Sequence, residues 1–432
     1  MTIALTRRRL LAAALAAGAA GPLAGADRTS AAAASRLDPS QANPGQANPN
    51  QANPGRPGPS QVNPDQPRLT LPAPTGPYRL GIVSLHLIDT ARPDPVAGPG
   101  HYRELMVSVW YPATPDARRY PAAVWLPDAP LRGLLADNGL PVDVAAAPLT
   151  AGRDGAPALR ALGRRPVIVF SHGSNGHRSE TTVIVQELAS HGYVVVTVDT
   201  PYDAFSEFPG GHLAVPSDDL PTTPGDHADD IPFVLDRLEG LAAGRNPDAE
   251  HRRLPAGLAE ILDMRRVGMF GYSKGGTATA LAMIGDQRIR AGLSLDGPMQ
   301  CRPPITTDID RPFLMMTANF TRAADTSAAE FWTHLHGWHR DLQIDGGTEI
   351  SYSDAVWLLP QIARLTGMSD TDLAGWIGTF SPGLAVRLQQ TYPLAFFDLH
   401  LRHRRQPLLE RPNPPFPRVH WRNGVDMDDP RE

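Results

Sequence analysis

A buried strand that stops at a tight, serine-bearing turn with a helix starting directly behind it leaves few folds open to a chain. Residues Arg266-Val267-Gly268-Met269-Phe270 form an apolar run without polar alternation, the mark of a strand covered on both faces of a parallel sheet. It runs into Gly271-Tyr272-Ser273-Lys274-Gly275, and Gly275 to Ile284 then carries helical spacing. The glycines permit a sharp bend, so the Ser273 hydroxyl is expected to project above the sheet. The first turn of the following helix offers unpaired N–H groups to a nearby negative charge.

The surrounding segments repeat the same alternation. Strands are expected at Tyr78 to Asp89, Arg103 to Tyr111, Pro166 to Phe170, Tyr193 to Val198, Ala291 to Leu295 and Phe313 to Thr317. Helices are expected at Glu180 to Ser190 and Asp226 to Leu241, and a helical stretch at Phe331 to Trp338. Strand–helix–strand units behind an initial antiparallel pair predict an α/β fold, a mostly parallel sheet with helices on both faces. Ligands in such sheets bind at the carboxyl ends of the strands.

Two further segments fit an acyl-handling site. Leu293-Ser294-Leu295-Asp296-Gly297 places Asp296 just after the strand that follows the serine, in the chain order of nucleophile and then acid. Phe170-Ser171-His172-Gly173-Ser174-Asn175-Gly176 follows a core strand as an oxyanion loop does. The backbone N–H groups near Ser174 and at Lys274 are the expected donors to a developing alkoxide, with His172 a structural residue of the loop.

These segments, together with Arg103-Glu104-Leu105-Met106-Val107-Ser108-Val109-Trp110-Tyr111-Pro112 and Ser351-Tyr352-Ser353-Asp354, resemble the platelet-activating-factor acetylhydrolase-like lipases of the α/β-hydrolase superfamily, in their actinobacterial form. The resemblance runs from about Gly76 to His403. It implies a secreted serine esterase without cofactor or metal, acting on small-molecule or lipid-like esters, with Ser273 as nucleophile and Asp296 as acid. In that family the general base lies in a segment resembling His-x-Ser-Tyr/Phe-x-Asp. This chain reads Glu349-Ile350-Ser351-Tyr352-Ser353-Asp354, so Glu349 stands where the resemblance places the catalytic histidine.

A carboxylate at its ordinary ~4.3 is less basic than imidazole at ~6.5, which predicts slower serine activation. Asp296 beside Glu349 would also force a proton onto the pair unless a cation stands near. Lys274, the only lysine in the chain, is the natural candidate. The expectation is a Lys274–Glu349 ion pair, with a solvated lysine on the first helical turn and a desolvated Lys274 acting as base as the rivals. Replacement bases after Asp296 would have to come from His334, His336, His339, His400, His403 or His420, none of which occupies the usual loop position. Trp332, Trp338, Trp357 and Trp376 read as packing, and the Gly/Pro-rich stretch from Asp203 to Pro224 reads as the rim of a cleft. Ester hydrolysis is therefore the leading expectation, against a catalytically silent binding protein or a transacylase using Lys274 and Glu349.

The front of the chain is an address and a spacer. Thr6-Arg7-Arg8-Arg9 precedes an Ala/Leu/Gly run and the small-residue site Ala32-Ala33-Ala34, which predicts a twin-arginine-type export signal over 1–34 and a secreted or envelope-associated product. Repeats of Gln-Ala-Asn-Pro from Gln41 onward predict a disordered, semi-rigid linker over 35–70, leaving 71–432 as one hydrolase domain with no transmembrane segment in the mature chain. The net charge of −5 gives no argument for a nucleic-acid partner. The single cysteine, Cys301, excludes an internal disulfide or a thiolate-rich metal site.

Overall fold

The computed structural model describes residues 66–410, Phe416 and residues 418–422. The expected export signal and residues 35–65 of the expected linker lie outside the described residues. Residues 66–70 are part of the packed domain: the Leu69 N–H donates to the Ala146 carbonyl at 3.1 Å, and its side chain is buried with Trp125 and Leu131. The domain thus begins before the boundary expected at 71.

The strands in chain order are β1 Arg79–Pro93, β2 Tyr102–Ala113, β3 Ala122–Val124, β4 Leu149–Asp154, β5 Arg165–Ser171 and β6 Val194–Val198. A short ribbon, β7 Ser206–Glu207 and β8 Leu213–Ala214, precedes β9 Leu262–Tyr272, β10 Ile289–Leu295, β11 Phe313–Thr317, β12 His339–Ile344 and β13 Val419–Trp421. Eleven of them form one sheet in the order β13-β12-β11-β10-β9-β5-β6-β2-β1-β4-β3. From β6 through β12 every neighbour is parallel, while β1 and β2 form the expected antiparallel pair. The fold is that of an α/β hydrolase.

The unbroken apolar strands have a direct cause. In β5, Val167 and Val169 join the core on one face while Ile168 and Phe170 join the core on the other, and Val194, Val195 and Val196 of β6 divide in the same way. With both faces dry, neither side of the pleat tolerates polar residues.

The helices are α1 Asp128–Asp137, α2 Thr182–Ser190, α3 Pro224–Ala242, α4 Lys274–Gly285, α5 Thr326–Thr333, α6 Ala355–Thr366, α7 Asp370–Ile377 and α8 Pro382–Arg402. Side chains of α3, α4 and α5 pack into the first core, and those of α2, α6, α7 and α8 into the second. Thr223 starts α3 with a reciprocal capping box to Asp226, and Pro224 occupies the first turn, a position where its missing N–H is not needed.

The helical stretch expected through Trp338 ends at Thr333. Gly337 lies so close to Asp310 that a Cβ there would come within 2.2 Å of its carbonyl oxygen, and the chain turns instead into β12, beside β11. Trp338, Trp357 and Trp376 pack against the second core, and Trp332 against the first. No helix among the described residues is long and apolar enough to cross a membrane.

Candidate active site

The site is built where β9 ends. Ser273 sits at φ 53°, ψ −123°, a left-handed conformation that a non-glycine residue adopts only at a cost of about 1–3 kcal/mol, tolerated when the surroundings over-determine it. The surroundings here are unusually close. A Cβ on Gly271 would lie 1.9 Å from the Gly275 carbonyl oxygen, and one on Gly275 would lie 2.1 Å from that of Ser171. Both glycines are therefore required by contact, as the strand–turn–helix pattern predicts. The Ser273 N–H donates to the Leu295 carbonyl at 2.9 Å, tying the bend to β10.

The loop after β5 lies against this bend: a Cβ on Gly173 would be 3.1 Å from the Ser273 Cβ. The backbone N–H groups of Ser174 and Lys274 meet no acceptor among the described residues, which leaves both available to an oxyanion. His172 is fully buried, donates from Nδ1 to the Gly173 carbonyl at 2.7 Å and accepts at Nε2 from the Thr200 N–H at 3.0 Å. Burial, reinforced by His227, pushes it down to about 4, so it is neutral and holds loop geometry.

Asp296 follows β10 and is fully buried. Its Oδ1 accepts from the N–H groups of Ala318 and Phe320, and its Oδ2 from that of Asn319 at 2.9 Å. Burial nevertheless pushes this carboxyl up to about 6, against the pull of those amides.

Glu349 opens the 3-10 turn Glu349–Tyr352, and its N–H donates to Asn319 Oδ1 at 2.8 Å. Asn319 thus joins the acid and Glu349 through one residue. The Glu349 carboxyl lies beside the Ser273 hydroxyl, which favours its charged form, and its Oε1 is buried with no hydrogen-bond partner among the described residues. Burial pushes this carboxyl up to about 7; the Asp296 charge adds to the rise and the Ser273 hydroxyl opposes it. The expectation of a poorly basic glutamate is corrected accordingly. Once desolvated, Glu349 titrates close to the ordinary value of imidazole.

Lys274 is also corrected. Its Nζ donates to Asp203 Oδ2 at 2.9 Å and to the carbonyl and Oγ1 of Thr222, both at 3.0 Å. No ion pair with Glu349 forms. Three acceptors thus occupy the three donor positions of its Nζ. Lys274 instead clamps both ends of the loop between Asp203 and Thr222 to the first turn of α4. Burial would raise Asp203, but the hydrogen bond from His227 and the charges of His227 and Lys274 outweigh it and hold that carboxyl well below the usual range.

The clamp yields a prediction. Lys274→Met keeps the backbone amide but removes a mostly buried ion pair, and should lower the melting temperature by roughly 5–10 °C. Ser273 should still react with a fluorophosphonate in the folded variant. A folded variant that no longer reacts would return Lys274 to the chemistry.

His172, Asp203 and His227 bring three ligand-type atoms within 4.8 Å of one another, all buried. Their donor chemistry does not suit a metal. Asp203 already receives His227 Nε2 at 2.7 Å, Lys274 Nζ and the Asn175 N–H, His227 Nδ1 meets Ser171 Oγ at 3.0 Å, and the His172 lone pair is taken by Thr200.

The six downstream histidines have other partners. His334 and His336 meet Asp308, His420 meets Asp345, and His339 bonds the Gly337 carbonyl. His400 stacks on Trp338 and Phe396, and His403 caps α8.

Two site neighbours have no clear sequence signature. Tyr272 is buried, and burial, with the charges of Glu349, Glu180 and Asp296 adding to it, raises its phenol. Glu180, which reads as the first residue of a helix, lies in the turn before α2 and accepts from the Gly173 N–H at 2.9 Å.

The chain is similar to known esterases. Residues 65–203 match the family model of platelet-activating factor acetylhydrolase, isoform II. A probable 1-alkyl-2-acetylglycerophosphocholine esterase of Arthroderma benhamiae is 27% identical over 389 residues, 81% of this chain and 92% of that one. The platelet-activating factor acetylhydrolase of Cavia porcellus is 22% identical over 71% of this chain and 74% of its own. Among solved structures, a ferulic acid esterase from Streptomyces cinnamoneus superposes with a TM-score of 0.70 at 33% identity, covering 83% of this chain and all of that one.

Proposed function

Since the chain belongs to the platelet-activating-factor acetylhydrolase-like family of α/β hydrolases and is a carboxylic ester hydrolase, we propose that it cleaves esters through an acyl–Ser273 intermediate with Glu349 as general base. The observation that carries this reading is the Glu349 carboxyl beside the Ser273 hydroxyl, desolvated until it titrates at about 7.

In the first half-reaction Glu349 takes the Ser273 hydroxyl proton as Oγ attacks the ester carbonyl. The resulting oxyanion is held by the Ser174 and Lys274 amides. Glu349 then returns the proton to the departing alkoxide, and the alcohol leaves. In the second half, Glu349 deprotonates a water that attacks the acyl-serine; collapse releases the carboxylic acid and restores Ser273. Asp296 does not receive the proton. Its charge keeps Glu349 basic, and Asn319 spaces the two.

Desolvation also weighs against the other two readings. A silent binding protein rested on a glutamate too weak to activate serine, and transacylation through Lys274 rested on a side chain now committed to Asp203 and Thr222. The substrates fit the class that the relatives' names describe, acetyl or aryl-acyl esters, and export through the segment 1–34 belongs to the same proposal.

The test is a fluorophosphonate probe with mass-spectrometric mapping. The expected result is a single adduct on Ser273, forming at a rate that rises with pH through an apparent value near 7. Folded protein that stays unlabelled would end the acyl-serine reading. Labelling without that pH dependence would end the role of Glu349.

A further inference from the structure

Asp203 follows β6 and is buried, and its carboxylate takes no part in the catalytic cycle. Its two oxygens reach both halves of the oxyanion hole. Oδ1 accepts from the Asn175 N–H at 3.0 Å, one residue beyond the Ser174 amide. Oδ2 accepts from Lys274 Nζ at 2.9 Å, on the residue whose own N–H is the second oxyanion donor. Oδ2 also accepts from His227 Nε2 at 2.7 Å. A carboxylate that receives three donors is held ionised, so Nε2 carries the imidazole hydrogen and Nδ1, 3.0 Å from Ser171 Oγ, is the acceptor. Ser171 ends β5 and leads into the same loop.

The two amides differ in how firmly the rest of the fold holds them. That of Lys274 sits in the first turn of α4, beside the crowded Gly271 and Gly275 and the Ser273 N–H bond to Leu295. That of Ser174 lies in a four-residue turn closed by the Gly176 N–H on the Gly173 carbonyl at 3.2 Å. Asn175, third in the turn, has φ 53°, a left-handed value that asparagine adopts more readily than most residues. The Ser174 N–H must stay open for the oxyanion, so the tip of the turn is tethered through the next N–H, and its acceptor is Asp203.

We propose that Asp203 is a positioning residue that sets the Ser174 amide against the Lys274 amide, so that both donors meet the oxyanion at once. The inference rests on the reading of Ser273 as nucleophile and of these two amides as oxyanion donors. Asp203 does not touch the substrate. It links the loop tip to the elbow through its two oxygens, and to β5 through His227. Donors in an oxyanion hole are effective because they are already aimed when charge develops. Displacing one therefore costs the transition state more than the bound ester.

The experiment is Asp203→Asn, assayed with a neutral ester and with a trifluoromethyl ketone, which forms a serine-linked oxyanion. An amide has one oxygen where the carboxylate has two, so it can hold Asn175 or Lys274 but not both. In the folded variant kcat should fall about 10–100-fold with KM within about threefold, and the ketone should bind more weakly by the factor that kcat/KM loses. A merely structural role would reduce the number of reactive sites counted with a fluorophosphonate and leave the affinity of each site for the ketone unchanged. A kcat within about threefold of wild type, or ketone affinity that holds or tightens, overturns the proposal; tightening is the sign expected if the variant had only unmasked the Lys274 ammonium. Wild type that forms no ketone adduct would instead strike the acyl-serine reading, and this inference with it.

Should Asp203→Asn fail to fold, the double variant Asp203→Leu/Lys274→Met removes both charges of the pair. It should bind the ketone about 10–100-fold more weakly than Lys274→Met alone, which keeps the acceptor for the Asn175 N–H. Equal affinity in the two overturns the proposal.

Discussion

Glutamine at position 349 is expected to lower kcat/KM for an ester by about 10²–10⁴-fold at pH 7.5, the usual contribution of a positioned general base. The substitution keeps the shape and can still meet the Ser273 hydroxyl, but its amide oxygen accepts no proton. KM should move little, because the carboxyl acts on the nucleophile and no substrate contact is assigned to it. Steady-state kinetics over pH 6–9 measure the effect. A loss of less than about fivefold would mean that another group activates Ser273.

The same substitution should stabilise the protein on the alkaline side. A carboxyl that titrates at about 7 when folded but near 4.5 when unfolded favours the fold most fully below 4.5. That advantage disappears as pH rises through about 7, on the order of 3 kcal/mol for a group this buried. Glutamine carries no proton to lose. Glu349→Gln should therefore melt above wild type at pH 8 and close to it at pH 4.5. Such a gain is what a site kept reactive at the expense of stability leads one to expect. Equal melting at both pH values would mean that Glu349 is not desolvated in solution.

Replacing Ser273 with alanine should cost more, roughly 10⁵-fold or greater in kcat, since it removes the hydroxyl that carries the acyl group. The fold should persist. Alanine inherits the same left-handed backbone, and the neighbouring Gly271 and Gly275 contacts are untouched. Because Ser273 and Glu349 act as one unit, the double variant should be no slower than Ser273→Ala alone. Turnover by the double variant well below that of Ser273→Ala would mean that Glu349 contributes to a step not involving the serine. Residual turnover in Ser273→Ala above about 1% of wild type would mean that the acyl group is not carried by this residue.

Parts of this site are visible in one dimension. The elbow is, since an unbroken apolar strand beside crowded glycines has few other uses. Asp296 is, since it directly follows the next strand. Glu349 is visible as a residue but not as a base: its identity is local, whereas its proton affinity depends on the water removed by neighbouring segments and on a charge 53 positions earlier in the chain, 349 − 296.

Lys274 misleads for a related reason. Its uniqueness in composition and its place beside the nucleophile both point toward the chemistry, yet its partner Asp203 is 71 residues away in sequence. Nothing local reveals which carboxylate a flexible side chain will reach. Glu180 reads as an ordinary acid at the start of a helix because its proximity to Gly173 exists only after the loop has folded back over it.

The order of residues by itself determined the layered α/β architecture, the bend that lifts Ser273 and the position of the acid after the neighbouring strand. These depend on periodicity and on the volume of glycine, which act over a few residues. Tertiary structure alone decided which acid is basic, where the one ammonium points and which carboxyl meets the oxyanion loop. Those outcomes depend on desolvation and on contacts between segments far apart in the chain, and neither exists until the chain has closed around them.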